Sequence, residues 1–440
     1  MQLTKILICF ALAIVCTTAQ ANPDSTATKS SAEYTYTAPT TIFGIYDPLN
    51  VSLRDNRFAF TAYGDLFLAS NCFSASFLQN FFGSGFITEE MKDFASEKLS
   101  AENTLGVDLS AGLWMQMAMK NNADNIFIAG IDYNFEESSQ FTPDLFHLAF
   151  YGNYDLQGET AILSGSKFSL TNVIEYKVGM MKLFNNGYNT YKLGITGGLV
   201  QGLSGLDIKA PTGTMYTAPD GRYIDFDYDF SIKTSGKNAP DLASFVGAGF
   251  SVDLFGQAYF KGPEITINAM VNDIGAVFWN NDPLKISADS TLHFEGIEIN
   301  NLFGAVDTTI AGSSDSLLEI LGVVEEENVF SQALPSRINV SASKFITADI
   351  YFTIGAQYIL NTPYKPLIFV QAAKAIPSLK MSIAANAHAG GYGVFNAGLD
   401  ISKDLGSLAT IRVGSNSLLG IVAPDTFRGL GAYGTLTVRL

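Results

Sequence analysis

Basic residues, cysteine and histidine are scarce in this sequence of 440 residues. It holds 26 Lys and Arg against 42 Asp and Glu, a formal net charge of −16, and only 15% of its residues are charged. Soluble globular proteins carry about a quarter charged residues. The excess of negative charge disfavours binding to nucleic-acid phosphates and to anionic lipid headgroups. We therefore expect no nucleic-acid partner.

The few cysteines and histidines exclude several kinds of site. Cys9 and Cys16 lie in a predicted secretion signal, which leaves Cys72 alone, so neither an internal disulfide nor a cysteine cluster is expected. No pair of the three histidines has the spacing of zinc ligands. His388 lies beside Asn386 on one face of an alternating segment, but no nucleophile accompanies it, which favours a hydrogen-bonded luminal histidine. We predict no catalytic residue, no metal site, no cofactor and no enzymatic activity.

Residues 1–40 have the composition of an export leader. Lys5 precedes the apolar run 6–15, and Ala19-Gln20-Ala21 provides small residues for cleavage, so residues 1–21 are predicted to be a signal peptide. Cys16 offers the alternative of a lipid-anchored cysteine, although Val15 is larger than the residue that usually precedes one. Residues 22–40 are rich in Ser, Thr and Ala and are predicted to be a flexible lead-in.

After residue 21 the chain contains no run of 18 apolar residues, which excludes a helical inner-membrane protein. From about residue 104 to residue 440, apolar and polar residues alternate instead. In 348–360, for example, Phe352 and Ile354 share one face, while Thr353 and Gln357 share the other. The same pattern recurs in four further segments, 242–254, 381–390, 409–414 and 435–440. Such alternation predicts strands with one apolar and one polar face.

Soluble sandwiches and membrane barrels both alternate in this way. Here the polar faces are rich in Gly, Ser, Thr and Asn, charges gather in the connections, and the segments reach the roughly 9–11 residues that cross a membrane. A closed barrel also pairs every backbone group, as lipid requires. We predict an all-β fold, a closed antiparallel transmembrane β-barrel of about 14 strands over residues 104–440. A soluble periplasmic β protein remains the alternative.

Two segments have a helical pattern instead. Thr88 followed by Glu89 and Glu90 predicts the start of a short amphipathic helix over 88–99, and Ser316 with Glu319 predicts a capping box that begins a second helix in a later loop. Residues 41–103 are therefore treated as a separate N-terminal segment. The first helix either packs on the barrel rim or, together with 73–86, forms a plug inside the lumen.

Aromatic and acidic residues give two further expectations. Tyr and Trp side chains near predicted strand ends suit the girdles of a membrane barrel. These residues are Tyr133, Tyr151, Tyr176, Tyr188, Tyr191, Trp279, Tyr358, Tyr364 and Tyr433. Asp225, Asp227 and Asp229 alternate with aromatic residues, and we interpret them as solvated carboxylates, with Ca²⁺ binding as the alternative.

Three motifs in a fixed order carry a family resemblance. They are the Gly-rich segment 193–200, Val271-Asn272-Asp273-Ile274-Gly275 followed by Trp279, and Leu334-Pro335-Ser336-Arg337. The chain resembles a Gram-negative outer-membrane β-barrel family of unknown function, and is distantly similar to the FadL-like fatty-acid transporters and the PorV-type secretion barrels. Relatives carry Asn-Pro-Ala near the mature N-terminus, and the nearest match here is Asp47-Pro48-Leu49-Asn50.

The resemblance implies location in the outer membrane of a Gram-negative cell and two competing functions. One is a passive channel for hydrophobic small molecules, with a luminal pocket lined by apolar side chains of residues 77–86. The other is a non-transporting structural partner in a secretion or surface-assembly complex. An apolar pocket opening sideways through the wall favours the first, and a sealed lumen with an apolar patch on the loop face favours the second.

Overall fold

The computed structural model describes residues 42–43, 46–53, 56–120, 122–236, 242, 245–295 and 323–440. The predicted signal peptide, the lead-in and the predicted helix at Ser316–Glu319 lie outside these residues. Among the helices that are described, none has the length and apolar character needed to cross a membrane.

Fourteen strands form a closed antiparallel barrel, which confirms the predicted fold class and strand number. The first strand (Phe58–Ser70) pairs with the second (Asn103–Met119) on one side and with the last (Leu430–Arg439) on the other, and this pairing closes the barrel. The barrel strands are β1 (Phe58–Ser70), β2 (Asn103–Met119), β3 (Asn122–Phe141), β5 (Ser166–Asn185), β6 (Thr190–Thr217), β8 (Gly247–Phe260), β9 (Ile265–Trp279), β13 (Arg337–Phe345), β14 (Ile350–Ile359), β15 (Lys365–Ile376), β16 (Met381–Gly391), β17 (Phe395–Leu405), β18 (Ala409–Ser415) and β19 (Leu430–Arg439).

Five further strands extend the sheet beyond one end of the barrel. They are β4 (Thr160–Ile162), β7 (Ile224–Thr234), β10 (Leu284–Phe294), β11 (Val324–Glu327) and β12 (Phe330–Ala333). The 28-residue strand β6 is longer than a membrane crossing needs, and its second half pairs with β4 and β7. β10 then pairs with β7, and β11 with β10. The result is a sheet that projects from the barrel.

The two ends of the barrel differ in their connections. At one end, called here the short-turn end, strands are joined by short connections such as 186–189, 261–264 and 377–380. At the other, the long-loop end, most connections are long and contain the helices. These are α1 (Ala75–Phe82), α2 (Glu89–Glu97), α3 (Pro143–Phe150) and α4 (Leu418–Val422), with a 3-10 turn at Tyr154–Leu156. A second 3-10 turn, Pro377–Leu379, forms one of the connections at the short-turn end. The helix predicted at 88–99 is α2, and the Thr88 hydroxyl accepts a hydrogen bond from the Met91 amide at 3.3 Å.

The faces predicted from the alternation are confirmed. In β14, Ile354 points outward and is 49% exposed, whereas its neighbour Thr353 points into the lumen and is 1% exposed. In β8, Phe250 and Leu254 are exposed while Ser251 and Asp253 are buried. The barrel therefore has an apolar outer surface and a polar interior, the arrangement of a transmembrane barrel.

Residues 73–86 do not form a luminal plug, and they do not line a luminal pocket as predicted. Phe73 and Phe77 pack in one buried cluster with Leu105 and Val107 of β2. These two wall residues alternate with Asp108, whose carboxylate pairs inside the lumen, so they face outward. α1 and α3 thus pack on the outer surface of the wall near the long-loop end. A loop has no periodic pattern of side chains, so its sequence does not indicate which face of the barrel wall it packs against.

Two other predictions need correction. The barrel begins with β1 at Phe58 and not near residue 104, because β1 closes it. Of the predicted N-terminal segment, residues 42, 43 and 46–53 lie inside. The girdle is also smaller than predicted: Tyr176, Tyr188 and Tyr358 are exposed, but Trp279, Tyr364 and Tyr433 are buried. Trp279, for example, packs on Phe330 and donates a hydrogen bond to Gln332 at 3.1 Å. An aromatic residue near a strand end has the same local sequence whichever face it occupies.

Candidate functional site

Residues 42, 43 and 46–53 lie in the lumen, the first two near the long-loop end and the others toward the short-turn end. Ile42 and Phe43 pack with Tyr364, Leu367 and Tyr392 near the long-loop end. Farther along the chain, residues 46 and 49 belong to a second cluster of luminal residues toward the short-turn end, with Tyr63, Trp114, Ile126, Ile128, Met181, Phe255 and Met270. We call residues 42, 43 and 46–53 the luminal segment. It fills space that an open pore would need.

Asp47-Pro48-Leu49-Asn50 forms a turn in this segment. The Asp47 carboxylate accepts a hydrogen bond from the Leu49 amide at 3.0 Å, and the Asn50 amide donates to the Asp47 carbonyl at 3.2 Å. Asp at the first position stabilises such turns through this side-chain bond. The turn places the Leu49 side chain, which is fully buried, against the apolar luminal cluster.

Few polar contacts hold the luminal segment to the wall. The Tyr46 ring stacks on Trp114 with centroids 4.2 Å apart. Gln116 donates hydrogen bonds of 2.9 Å to the Tyr46 hydroxyl and the Pro48 carbonyl. Nearer the short-turn end, Lys192 donates to the Leu49 carbonyl at 2.7 Å, and Arg439 donates to the Ser52 carbonyl at 2.5 Å. Wall side chains therefore bind mainly backbone carbonyls, which any sequence in the segment would offer.

A buried ion cluster lies beside the luminal segment. Lys177 of β5 contacts three carboxylates: Glu175 at 3.3 Å, Asp253 at 3.0 Å, and Asp273. All four side chains are largely buried, and Asp253 also accepts a hydrogen bond from Thr196 at 2.5 Å. Buried charges persist only when they are paired and hydrogen-bonded, as here. The cluster ties β5, β6, β8 and β9 together from inside.

Asp273 reaches this cluster because the β8–β9 pairing is irregular. The register shifts between Val252 and Leu254, and Asp273 has a φ of +62°, a left-handed conformation that is uncommon for a residue other than glycine. Its amide donates to the Asp253 carboxylate at 2.8 Å. Val271–Gly275, one of the motifs of the family resemblance, is thus the segment that carries this irregularity.

A second motif supplies another buried cation. Arg337, at the start of β13, pairs with Asp108 of β2 and Glu136 of β3 across the lumen. The Ser336 hydroxyl next to it donates to the Asp273 carbonyl at 2.9 Å. Neither Lys177 nor Arg337 was predicted to be a site residue. The sequence feature that could have identified them is a charged residue within a strand whose other polar residues are small.

Little space remains in the lumen at this level. Tyr46, Trp114, Asp132, Lys177 and Asp273 help to line a cavity of about 40 Å³, enough for a water molecule or two. Trp114 and Tyr63 both donate to one oxygen of Asp132, at 2.6 and 2.9 Å. At this level the luminal segment and the buried ion pairs occupy much of the lumen.

The outer surface of the same wall carries a much larger depression, which we call the outer depression. It encloses about 910 Å³ and is lined almost wholly by apolar side chains. Cross-strand pairing arranges the outward-facing lining residues in two adjacent rows across seven strands. One row is Leu436, Ala62, Leu113, Ile131, Tyr176, Leu199 and Phe250. The other is Val438, Phe60, Met115, Ala129, Val178, Gly197 and Val252.

Small residues give the outer depression its depth. Ala62, Ala129 and Gly197 face outward between large side chains such as Leu199, which is 73% exposed. A β-carbon placed on Gly197 would meet no atom within 4 Å, so its outer face is open space. Ligand pockets measure about 300–1,000 Å³ and are mostly apolar, and the outer depression falls within that range.

The outer depression and the luminal cavity lie on opposite sides of one layer of wall. Trp114 and Lys177 line both. Gly130 and Gly198 pair with Lys177 on either side, and the side chains of Trp114 and Lys177 cover them on the luminal face. The backbone pairing of β3, β5, β6 and β8 is continuous there, so the structure holds two adjoining spaces and no passage between them.

Other residues singled out in the sequence lie apart from this site. His388 is luminal and hydrogen-bonded, as predicted, with Nε2 2.9 Å from the Asn416 carbonyl oxygen. Asp225, Asp227 and Asp229 lie on β7 of the projecting sheet, where Asp225 contacts His293 at 2.5 Å. Among the described residues, no group of three His, Cys, Asp or Glu side chains is placed to hold a metal ion.

Comparison with known proteins supplies a family. Residues 56–410, well over half of the chain, match the family described as a family of unknown function, DUF5723. The chain belongs to this family. No curated protein matches the sequence.

Solved structures with a similar chain path include two toluene transporters and a FadL homologue. The Ralstonia pickettii toluene transporter TbuX has a TM-score of 0.44 and 9% identity, covering 90% of this chain and 92% of that one. The P. putida toluene transporter TodX has 0.40 and 9%, covering 89% and 91%. A Pseudomonas aeruginosa FadL homologue has 0.38 and 9%, covering 87% and 90%. At these identities each comparison concerns the fold alone.

Proposed function

We propose that this protein lies in the outer membrane of a Gram-negative cell and passively transports hydrophobic small molecules, which it takes up from the lipid phase at the outer depression. The apolar outer surface requires lipid around it, and a closed barrel is the form in which strands cross a membrane. Bacterial barrels of this kind have short periplasmic turns and longer extracellular loops. The short-turn end then faces the periplasm and the long-loop end the exterior.

One observation carries the proposal: an apolar depression large enough for a small molecule is backed by residues that also line the luminal cavity. A molecule held there is separated from the lumen by the single layer of paired strands around Gly130 and Gly198. Entry into the lumen requires these strands to separate locally and the luminal segment to move. That movement breaks the Tyr46–Trp114 stack and the two bonds from Gln116.

Uptake of an uncharged fluorescent hydrophobic tracer by proteoliposomes tests the proposal. The Gly197→Phe variant fills the outer depression, because the new side chain projects into open space. Ala385→Phe is the matched control, since Ala385 faces outward on β16, away from the outer depression. Uptake above that of empty liposomes, lowered by Gly197→Phe and unchanged by Ala385→Phe, supports the proposal. Equal uptake by both variants would rule out the outer depression as the entry site.

The second candidate function, a non-transporting partner in a secretion or surface-assembly complex, has its own supporting observation. The lumen is filled at the level of the ion cluster, and exposed apolar side chains such as Phe86 and Val422 lie at the long-loop end. Correctly folded protein that takes up no more tracer than empty liposomes would favour this candidate over transport.

A further inference from the structure

The connection between β1 and α2 has an unusual composition for a loop. Residues 71–88 contain no Asp, Glu, Lys, Arg or His, and they include five phenylalanines: Phe73, Phe77, Phe81, Phe82 and Phe86. A connection surrounded by water would carry polar and charged residues. The absence of charge together with the five phenylalanine rings suits a segment that contacts apolar surroundings over part of its length.

The first half of this segment obtains those surroundings from the barrel. Phe73 and Phe77 stack on each other, with centroids 4.3 Å apart, and belong to the cluster that covers the outward-facing Leu68 of β1. Phe77 is also 6.2 Å from Phe81, so a row of rings leads from the wall outward along α1. Protein thus occupies, near the long-loop end, the same outer surface of β1 that lipid covers lower down, around Phe60.

The second half lacks such a cover in the described structure. Phe81 is 50% exposed, Phe82 39% and Phe86 81%. The turn that carries them is well defined, because the Gly83 amide donates to the Gln79 carbonyl at 2.8 Å and the Gly85 amide to the Asn80 carbonyl at 2.7 Å. Ser84, between the glycines, has a φ of +59°. The backbone bonds hold the rings in a fixed, outward presentation.

We propose that residues 79–87, called here the aromatic loop, insert into the outer leaflet of the membrane beside the barrel. The occupant of this apolar surface is lipid, because α1 lies on the outer face of the wall and its exposed rings continue the apolar surface that already contacts lipid. Aromatic side chains are enriched at such interfaces. The inserted loop fixes the depth at which the helices of the long-loop end meet the bilayer. This inference is independent of transport.

Tryptophan fluorescence in proteoliposomes tests the insertion. Phe86→Trp and Phe81→Trp place a reporter in the aromatic loop, and wild type gives the background from Trp114 and Trp279, both buried. Tyr154→Trp is the matched control, an aromatic residue that is 76% exposed in another long connection, next to Asp155. We expect the added emission at positions 86 and 81 to be lost in brominated lipid and retained with aqueous iodide, with the opposite result at position 154.

Two results would overturn the proposal. Quenching at position 86 by iodide and not by brominated lipid would place the aromatic loop in water. Insensitivity to both quenchers would show that protein, such as a second copy of this chain, covers it. Heat-modifiable mobility on gels checks that each variant folds. We expect all of them to fold, because the replaced side chains are exposed.

Discussion

The indole of Trp114 lies across Gly130, its cross-strand partner, on the luminal side of the wall. Its ring nitrogen donates to Asp132, two residues farther along the same strand, and its other face stacks on Tyr46. Gly130 permits this arrangement because a β-carbon there would overlap the indole ring. One glycine therefore allows the ring that holds the luminal segment to lie flat against the wall, directly behind the outer depression.

Gly130→Ala is expected to destabilise the barrel by about 1–3 kcal/mol, because the indole must move and the core is overpacked. Gly197→Ala, on β6 two strands away and facing open space, is expected to be neutral or slightly stabilising. The midpoints of denaturant-induced unfolding in detergent micelles measure both. Equal losses in the two variants would contradict the described packing of Trp114.

Lys177→Met is expected to cost about 3–5 kcal/mol, because it leaves Glu175, Asp253 and Asp273 buried without their cation. Lys209→Met is the control. Lys209 also pairs with a carboxylate, at 2.9 Å, but it is more than half exposed, so its loss should cost no more than about 1 kcal/mol. The same unfolding assay applies. Adding Asp273→Asn to Lys177→Met should recover part of the loss, and no recovery would argue against the ion cluster.

Ile354→Arg tests the outer surface. Ile354 faces outward in β14, and an arginine near the bilayer midplane is expected to cost about 2–4 kcal/mol in lipid. Ser251→Ala, on a luminal face, should cost little, since the Ser251 hydroxyl has no hydrogen-bond partner among the described residues. Unfolding in lipid vesicles compares the two. Similar tolerance of both changes would contradict the assignment of inner and outer faces.

Tyr46→Ala should loosen the luminal segment, because it removes the stack on Trp114 and the hydroxyl that accepts from Gln116. We expect more frequent current steps in planar bilayers than wild type gives. Tyr358→Ala, which truncates an outward-facing ring, should leave the current unchanged. A Tyr46→Ala trace that matches wild type would show that the segment holds its place without this ring.

His293 gives a pH-dependent contact in the projecting sheet. Hydrogen bonds to Asp225, and secondarily to Glu295, raise the pKa of His293 above its ordinary value of 6.5. Because the folded pKa is the higher one, the stabilisation from this contact is fully present below pH 6.5 and is lost as pH rises through the folded pKa. Histidine NMR in micelles should give a raised midpoint that Asp225→Asn lowers. An unchanged midpoint in that variant would show that Asp225 does not stabilise the protonated form of His293.

Part of this structure could be predicted from local pattern. Alternation assigned Ile354 to the outside and Thr353 to the lumen, and Thr88 marked the start of α2. The luminal position of His388 followed in the same way. Each of these depends on a few neighbouring residues, because the pleat of a strand and the first turn of a helix are themselves local.

The candidate site could not be predicted in that way. Lys177 lies 76 residues from Asp253 and 96 from Asp273, and they meet only through the register of four strands and the irregularity at Asp273. The same holds for the outer depression, whose small residues Ala62, Ala129 and Gly197 lie on three different strands. α1 lies on the outer surface because its loop passes on that side of the barrel wall, and the two sides exist only once the barrel has formed.

The sequence by itself determined that strands form and which side of each faces lipid, because a side chain's face is fixed by its position in the strand. It also determined that the strands close into a barrel, because all backbone groups in lipid must be paired. Only the tertiary structure decided what fills the lumen, where the charges meet and where the wall is hollowed. Those features arise from the alignment of strands distant in the chain, which no single strand's sequence specifies.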